Sequence, residues 1–221
     1  MRNLQPLPAP QCFRRSTGQP HAVCLATASF PRPPPLTRPP AAQLTSGVRR
    51  CARLGWMRYN KIMNAEVKQA ALELVERATA AGLTGSVADS AEIEQVTQDL
   101  GGKLPNWYAE LISAFPLCGL DLGWQDEDDT SWMIWSTPKQ LRSESLEAYP
   151  GLAILERGYI NVALCAHGSG DPYFIPTDKG DNPPLYQVYH DVSDKPDEII
   201  AEGLQLVSAS LSEFFRTATV Q

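Results

Sequence analysis

The chain has 221 residues, and its formal charge of −6 conceals two chemically unlike segments. Residues 1–56 carry eight arginines, no lysine and no acid, whereas residues 57–221 set 11 basic residues against all 25 acids, a net of −14. That balance excludes nucleic acid as a direct partner of the 165-residue body, because phosphate contacts need clustered Lys and Arg. Apolar runs far shorter than the ~20 residues of a spanning helix exclude a membrane segment.

In chain order, the basic head comes first. Ten of the nineteen prolines lie in its first forty positions, and a segment so rich in Pro and in charge of one sign does not pack a core. The composition predicts a disordered Pro/Arg-rich extension over 1–56. Three roles fit it: an upstream extension with the true start at Met57 or Met63, a targeting segment, or a tail whose Arg32–Pro40 stretch is a polyproline II ligand. Residues 57–221 form the folded domain, large enough to bury roughly 70% of its unfolded surface without staples.

From Met63 the apolar spacing turns helical. Val67, Ala70, Ala71, Leu74, Val75 and Ala78 share one face, and Gly82 stops the helix. Asp89 and Glu92 have capping-box spacing and open a second helix carrying Ile93, Val96 and Leu100. Gly101 and Gly102 end it, and Pro105 suits the first turn of a third helix with Trp107, Tyr108, Leu111 and Ile112. Trp132–Trp135 reads as a strand. Thr137-Pro138-Lys139-Gln140 is a second capping box, predicting a helix over 138–147.

Further on, Tyr159 to Ala166 alternates as a strand should, and Gly168-Ser169-Gly170-Asp171 is a tight turn to a partner strand at Tyr173–Ile175. Leu185–Tyr189 and Leu204–Val207 are further strands. Ser210 and Glu213 cap a closing helix with Leu211, Phe214 and Phe215 inward. Helices, then a strand meander, then a helix is an α+β plan: a single antiparallel or mixed sheet flanked by helices.

Catalytic constellations are weak. The five cysteines include three in the head (Cys12, Cys24, Cys51), and Cys118 and Cys165 lack zinc-type spacing; both read as small buried hydrophobes. Cys165, His190 and Asp191 form a conceivable nucleophile–base set, and His167, Asp171 and His190 a conceivable metal set, without recognised spacing for either. No P-loop, G-x-G-x-x-G, H-E-x-x-H or G-x-S-x-G motif occurs. The residues therefore predict no enzyme, no cofactor and no metal.

The most informative stretch runs from Asp121 to Trp135. It joins five carboxylates (Asp121, Asp126, Glu127, Asp128, Asp129) to three indoles (Trp124, Trp132, Trp135). A solvated acidic loop beside core tryptophans is the plain reading. The functional reading is a protein-binding face, in which indoles supply rigid contact area and carboxylates steer a basic partner.

Four motifs then resemble, in order and approximate spacing, the SUKH superfamily, also called the Smi/Knr family. They are Leu100-Gly101-x-x-Leu104-Pro105-x-Trp107-Tyr108, Gly168-Ser169-Gly170-Asp171-x-Tyr173-Phe174, Gln187-Val188-Tyr189-His190-Asp191, and Ser210-Leu211-x-x-Phe214-Phe215. The match spans roughly Ile93 to Ala218. It departs after the third helix, where Phe115-Pro116-Leu117-Cys118-Gly119 replaces the family's Asn-Gly-Gly-like turn. The resemblance implies an α+β domain without catalysis, acting in the cytoplasm as a bacterial immunity protein that neutralises a cognate toxin, often a nuclease, by direct binding. The alternative it implies is a regulatory scaffold of the fungal cell-wall-regulator kind, using the head to recruit a partner.

Overall fold

The computed structural model describes residues 63–126 and 129–221. The basic extension expected over 1–56, and Glu127 and Asp128 of the acidic stretch, lie outside the described residues. Among those described are seven α-helices, α1 (Ala65–Ala80), α2 (Ser90–Asp99), α3 (Asn106–Ala114), α4 (Pro138–Leu146), α5 (Gly151–Ile154), α6 (Pro196–Glu202) and α7 (Leu211–Thr217). Seven strands accompany them: β1 (Asp121–Asp126), β2 (Asp129–Trp135), β3 (Tyr159–Cys165), β4 (Tyr173–Pro176), β5 (Leu185–Val188), β6 (Leu204–Ser208) and β7 (Thr219–Val220). None of these helices is long and apolar enough to cross a membrane.

All strands join one sheet in the order β6-β5-β4-β3-β2-β1-β7. Every pairing is antiparallel, so the mixed alternative is ruled out. Capping chemistry explains where the helices begin. Thr137 and Gln140 complete a reciprocal capping box at α4, and Ser210 accepts from the Glu213 backbone at α7 (3.2 Å). At α2, Asp89 accepts from the Ala91 backbone (2.8 Å), with no return bond from Glu92.

The inner face of the sheet packs on α1, α3 and α7. Val67, Ala70 and Leu74 of α1 meet Tyr108, Leu111 and Ile112 of α3, Phe214 and Phe215 of α7, and Leu122, Met133 and Trp135 of the strands. Arg77, at the last turn of α1, donates to the carbonyls of Ala218 (2.8 Å) and Phe215, tying down the end of α7. Successive strand residues point to opposite faces. Thus Tyr173 enters this core while Phe174 joins a smaller cluster with Ile154, Val188 and Ile199, beneath α5 and α6 on the outer face.

Two expectations fail for physical reasons. The described part of the acidic stretch is an antiparallel strand pair instead of a loop, because Asp121–Asp126 pairs residue for residue with Asp129–Ile134. The alternation expected over Tyr159–Ala166 breaks at a register shift between Asn161 and Ala163. Asn161 is fully buried there. It accepts from the Ser136 hydroxyl (2.7 Å) and donates to the carbonyls of Ala163 (2.9 Å) and Tyr173 (3.2 Å), supplying the polar partners that the bulge would otherwise lack.

A candidate protein-binding site at the sheet end

The register of the β1–β2 hairpin decides which indoles are available. Gly123 pairs with Trp132, Trp124 with Ser131, and Leu122 with Met133, so Trp132 projects outward while Trp124 and Trp135 project inward. Trp124 is 8% exposed and Trp135 fully buried; neither can touch a partner, which corrects the expectation for both. Trp135 stacks among Phe214 and Phe215. Trp124 donates its indole hydrogen to the Tyr173 hydroxyl (3.2 Å). Inward tryptophans with polar tips are anchors for the sheet.

Trp132 remains half-buried on the outer face. Its six-membered ring lies over Gly123, where a Cβ would come within 3.1 Å of two ring carbons. A glycine at 123 therefore gives the indole its seat. The His167 ring stacks beside it, centroids 6.5 Å apart and 18° from parallel. With Asp121, Ile134, Ala166 and Gln221, these two rings line a shallow outer cleft of about 460 Å³.

On the inner face the apolar core gives way, beyond the helices, to a polar row. Ser131 of β2, Cys165 of β3, Tyr173 of β4 and Gln187 of β5 line a second cleft, of about 320 Å³. Asp126 and Asp129, paired directly across the hairpin, and Asp171 add carboxylates to it. Trp132 and His167 border this cleft as well, forming the ridge between the two. Four strands separate β1 from β6, yet the Gln205 amide donates to Asp126 Oδ1 (2.9 Å) and Tyr189 donates to Gln205 Oε1 (2.5 Å). The sheet is curled, and this chain of contacts closes the curl around the inner cleft.

The titratable groups are specialised. Burial pushes the Tyr173 hydroxyl up to about 12, against a lowering bond from Trp124, so it stays neutral. Burial alone would raise the Cys165 thiol, but the Ser169 hydroxyl (3.1 Å) and backbone groups of His167, Ser169 and Gly168 outweigh it and hold the thiol below its ordinary value. His190 Nδ1 lies 2.7 Å from Asp171 Oδ1. That bond raises the imidazole; burial opposes it, and the charges of Asp171 and Asp191 add to the rise.

These contacts rearrange the catalytic candidates. The carboxylate that orients His190 is Asp171, not Asp191, and Ser169, not a histidine, contacts Cys165. No group of three His, Cys, Asp or Glu able to hold a metal occurs among the described residues. His167 is taken up by its stack on Trp132. The remaining motif residues serve the fold: Leu100, Leu104, Trp107, Tyr108, Val188 and Phe214 are buried, Pro105 precedes α3 as its cap, and Gly101, Gly168 and Gly170 have left-handed backbone. The polar row escaped sequence reasoning, since its members come from four strands whose register only the folded sheet reveals. Compared with family models, with curated proteins and with solved structures, the chain matches none.

Proposed function

We propose that this is a non-enzymatic, cytoplasmic protein-binding domain of the immunity type implied by the SUKH-like motif order. It captures a basic protein, such as a toxin nuclease, at the curled end of its sheet. One observation carries the reading: the Trp132–His167 ridge stands between two clefts, with Asp121 on one side and Asp126 and Asp129 on the other. An accessible indole flanked by carboxylates matches the energetics of a hot spot, where the ring supplies buried area and the charges supply steering. No lysine or arginine is among the described residues lining either cleft, so the local field keeps the sign of the body's −14.

The test is co-purification of the tagged chain with toxins encoded beside its gene. Trp132→Ala should weaken a recovered complex at least ~10-fold, within the range for an interface anchor. Asp126→Asn with Asp129→Asn should slow association and flatten its salt dependence. A complex that forms equally well with all three replaced would refute the assignment of this surface.

A further inference from the structure

We infer that the His190–Asp171 pair is a proton-operated tether. With His190 charged it holds the 167–171 loop closed and His167 seated on Trp132, and with His190 neutral that hold slackens. This concerns regulation of the binding ridge, and it rests on the protein-binding reading for the partner whose capture it would tune.

The first ground is where the loop is fixed. Its two ends are pinned by backbone bonds that no titration alters: the Ala166 N–H donates to the Trp132 carbonyl, and the Val188 N–H to the Pro172 carbonyl, both at 2.9 Å. Between them Gly168 and Gly170 take left-handed backbone, and no strand runs through the span. Ser169 bonds locally, donating to Cys165 Sγ (3.1 Å) and accepting from the Asp171 N–H (3.2 Å). Asp171 ties the loop to the end of β5. Its Oδ1 accepts from the His190 backbone N–H (3.1 Å) and lies 2.7 Å from the ring Nδ1, while Gln187 adds a longer bond to its carbonyl (3.4 Å).

The second ground is contact. The His190 ring lies against Gly170, where a Cβ would come within 3.3 Å of Cε1. The third is charge. Asp171 of the loop and Asp191 beside the ring both act on His190, and both are acids. A charged ring makes a charge-assisted bond to Asp171; a neutral ring still donates from Nδ1, so losing the proton weakens the tie without cutting it. By linkage, a loop contact that favours the charged ring is itself favoured when the ring is charged. The His190 side chain is 45% exposed, so protons reach it freely and solvent screens part of the gain. Slack in this loop reaches the ridge directly, because His167 belongs to the loop and its ring stacks on Trp132.

The test needs no partner. In the labelled full chain, NMR follows the rings of His190 and His167, the Trp132 indole and the backbone amides of residues 168–171 from about pH 5 to about pH 8.5. The indole and the loop amides should shift with the midpoint of His190. Hydrogen exchange at Ser169 and Gly170, corrected for its intrinsic pH dependence, should rise ~3–5-fold across that midpoint. Reading each midpoint separates His190 from His167 and from the Cys165 thiol, the other titratable groups of this region. His190→Gln, which keeps a donor without the charge, should erase the component and leave the indole at its alkaline position at every pH. Asp171→Asn should erase it as well. The inference is overturned if His190 titrates while the indole and loop amides stay still, if they follow His167 or Cys165 alone, or if the component persists in His190→Gln. Partner affinity that stays flat across the His190 midpoint, in a chain whose loop does respond, sinks the regulatory use. A responding loop in a chain that captures no basic protein sinks the protein-binding reading and leaves the tether standing.

Discussion

Replacing Asn161 with leucine tests the account of the β3 bulge. The side chain is wholly buried and makes three hydrogen bonds, one from the Ser136 hydroxyl and two to the Ala163 and Tyr173 carbonyls. Ser136 is itself fully buried, so losing Asn161 strands its hydroxyl at a cost of ~1–3 kcal/mol. The two carbonyls each forfeit a bond worth about 1 kcal/mol. Leucine returns ~1–2 kcal/mol of apolar transfer, leaving a net loss on the order of 3 kcal/mol by this count. For a domain of this size that corresponds to a Tm lower by roughly 6–12 °C, measurable by calorimetry and by urea unfolding. Adding Ser136→Ala removes the stranded hydroxyl and should restore about 1–2 kcal/mol, so the double variant is more stable than the Asn161 single. If Asn161→Leu unfolds within 1 kcal/mol of wild type, or if the two changes simply add, the polar-support reasoning is wrong.

Three further outcomes are expected. Iodoacetamide at neutral pH should modify Cys165 well before Cys118, whose thiol burial raises to about 11, while Cys165 is half-exposed and lowered by the Ser169 loop; equal labelling by peptide mapping would refute this. The His190 ring should titrate above its ordinary ~6.5. Because the folded value is the raised one, the Asp171 contact stabilises fully below the unfolded value and is lost as pH climbs through the folded one. The gap in urea midpoint between wild type and His190→Gln should therefore shrink from pH 5.5 towards pH 8, and a widening gap would reverse the sign. Gly151→Ala should destabilise by ~1–3 kcal/mol or more, since its Cβ would sit 1.9 Å from the Glu144 carbonyl oxygen; an unchanged Tm would count against that contact.

Legibility varied with how local the signal was. Helices α1, α2, α4 and α7 announce themselves through caps and apolar spacing within a few residues. Strand β1 does not: Asp121-Leu122-Gly123-Trp124-Gln125-Asp126 has no β-branched residue and ends in acid, and it is a strand because Ile134 to Asp129 pair with it. Helix α6 carries a real signal, Pro196 at its start with Asp197 and Glu198 in the first turn, but is short enough to pass as loop. The tryptophans were clustered correctly along the chain and wrongly in space. Trp132 and Trp135 stand an odd number of residues apart on one strand, so a period of two sends them to opposite faces. Asp126 and Asp129 line the inner cleft because they are paired at the far ends of β1 and β2, beyond the core.

The latch from Gln205 to Asp126 couples two distant strands, because the carboxylate that ends β1 also fastens β6, with Tyr189 holding the same side chain. Whatever turns the Asp126 carboxylate therefore acts on the far edge of the rolled sheet as well as on the hairpin.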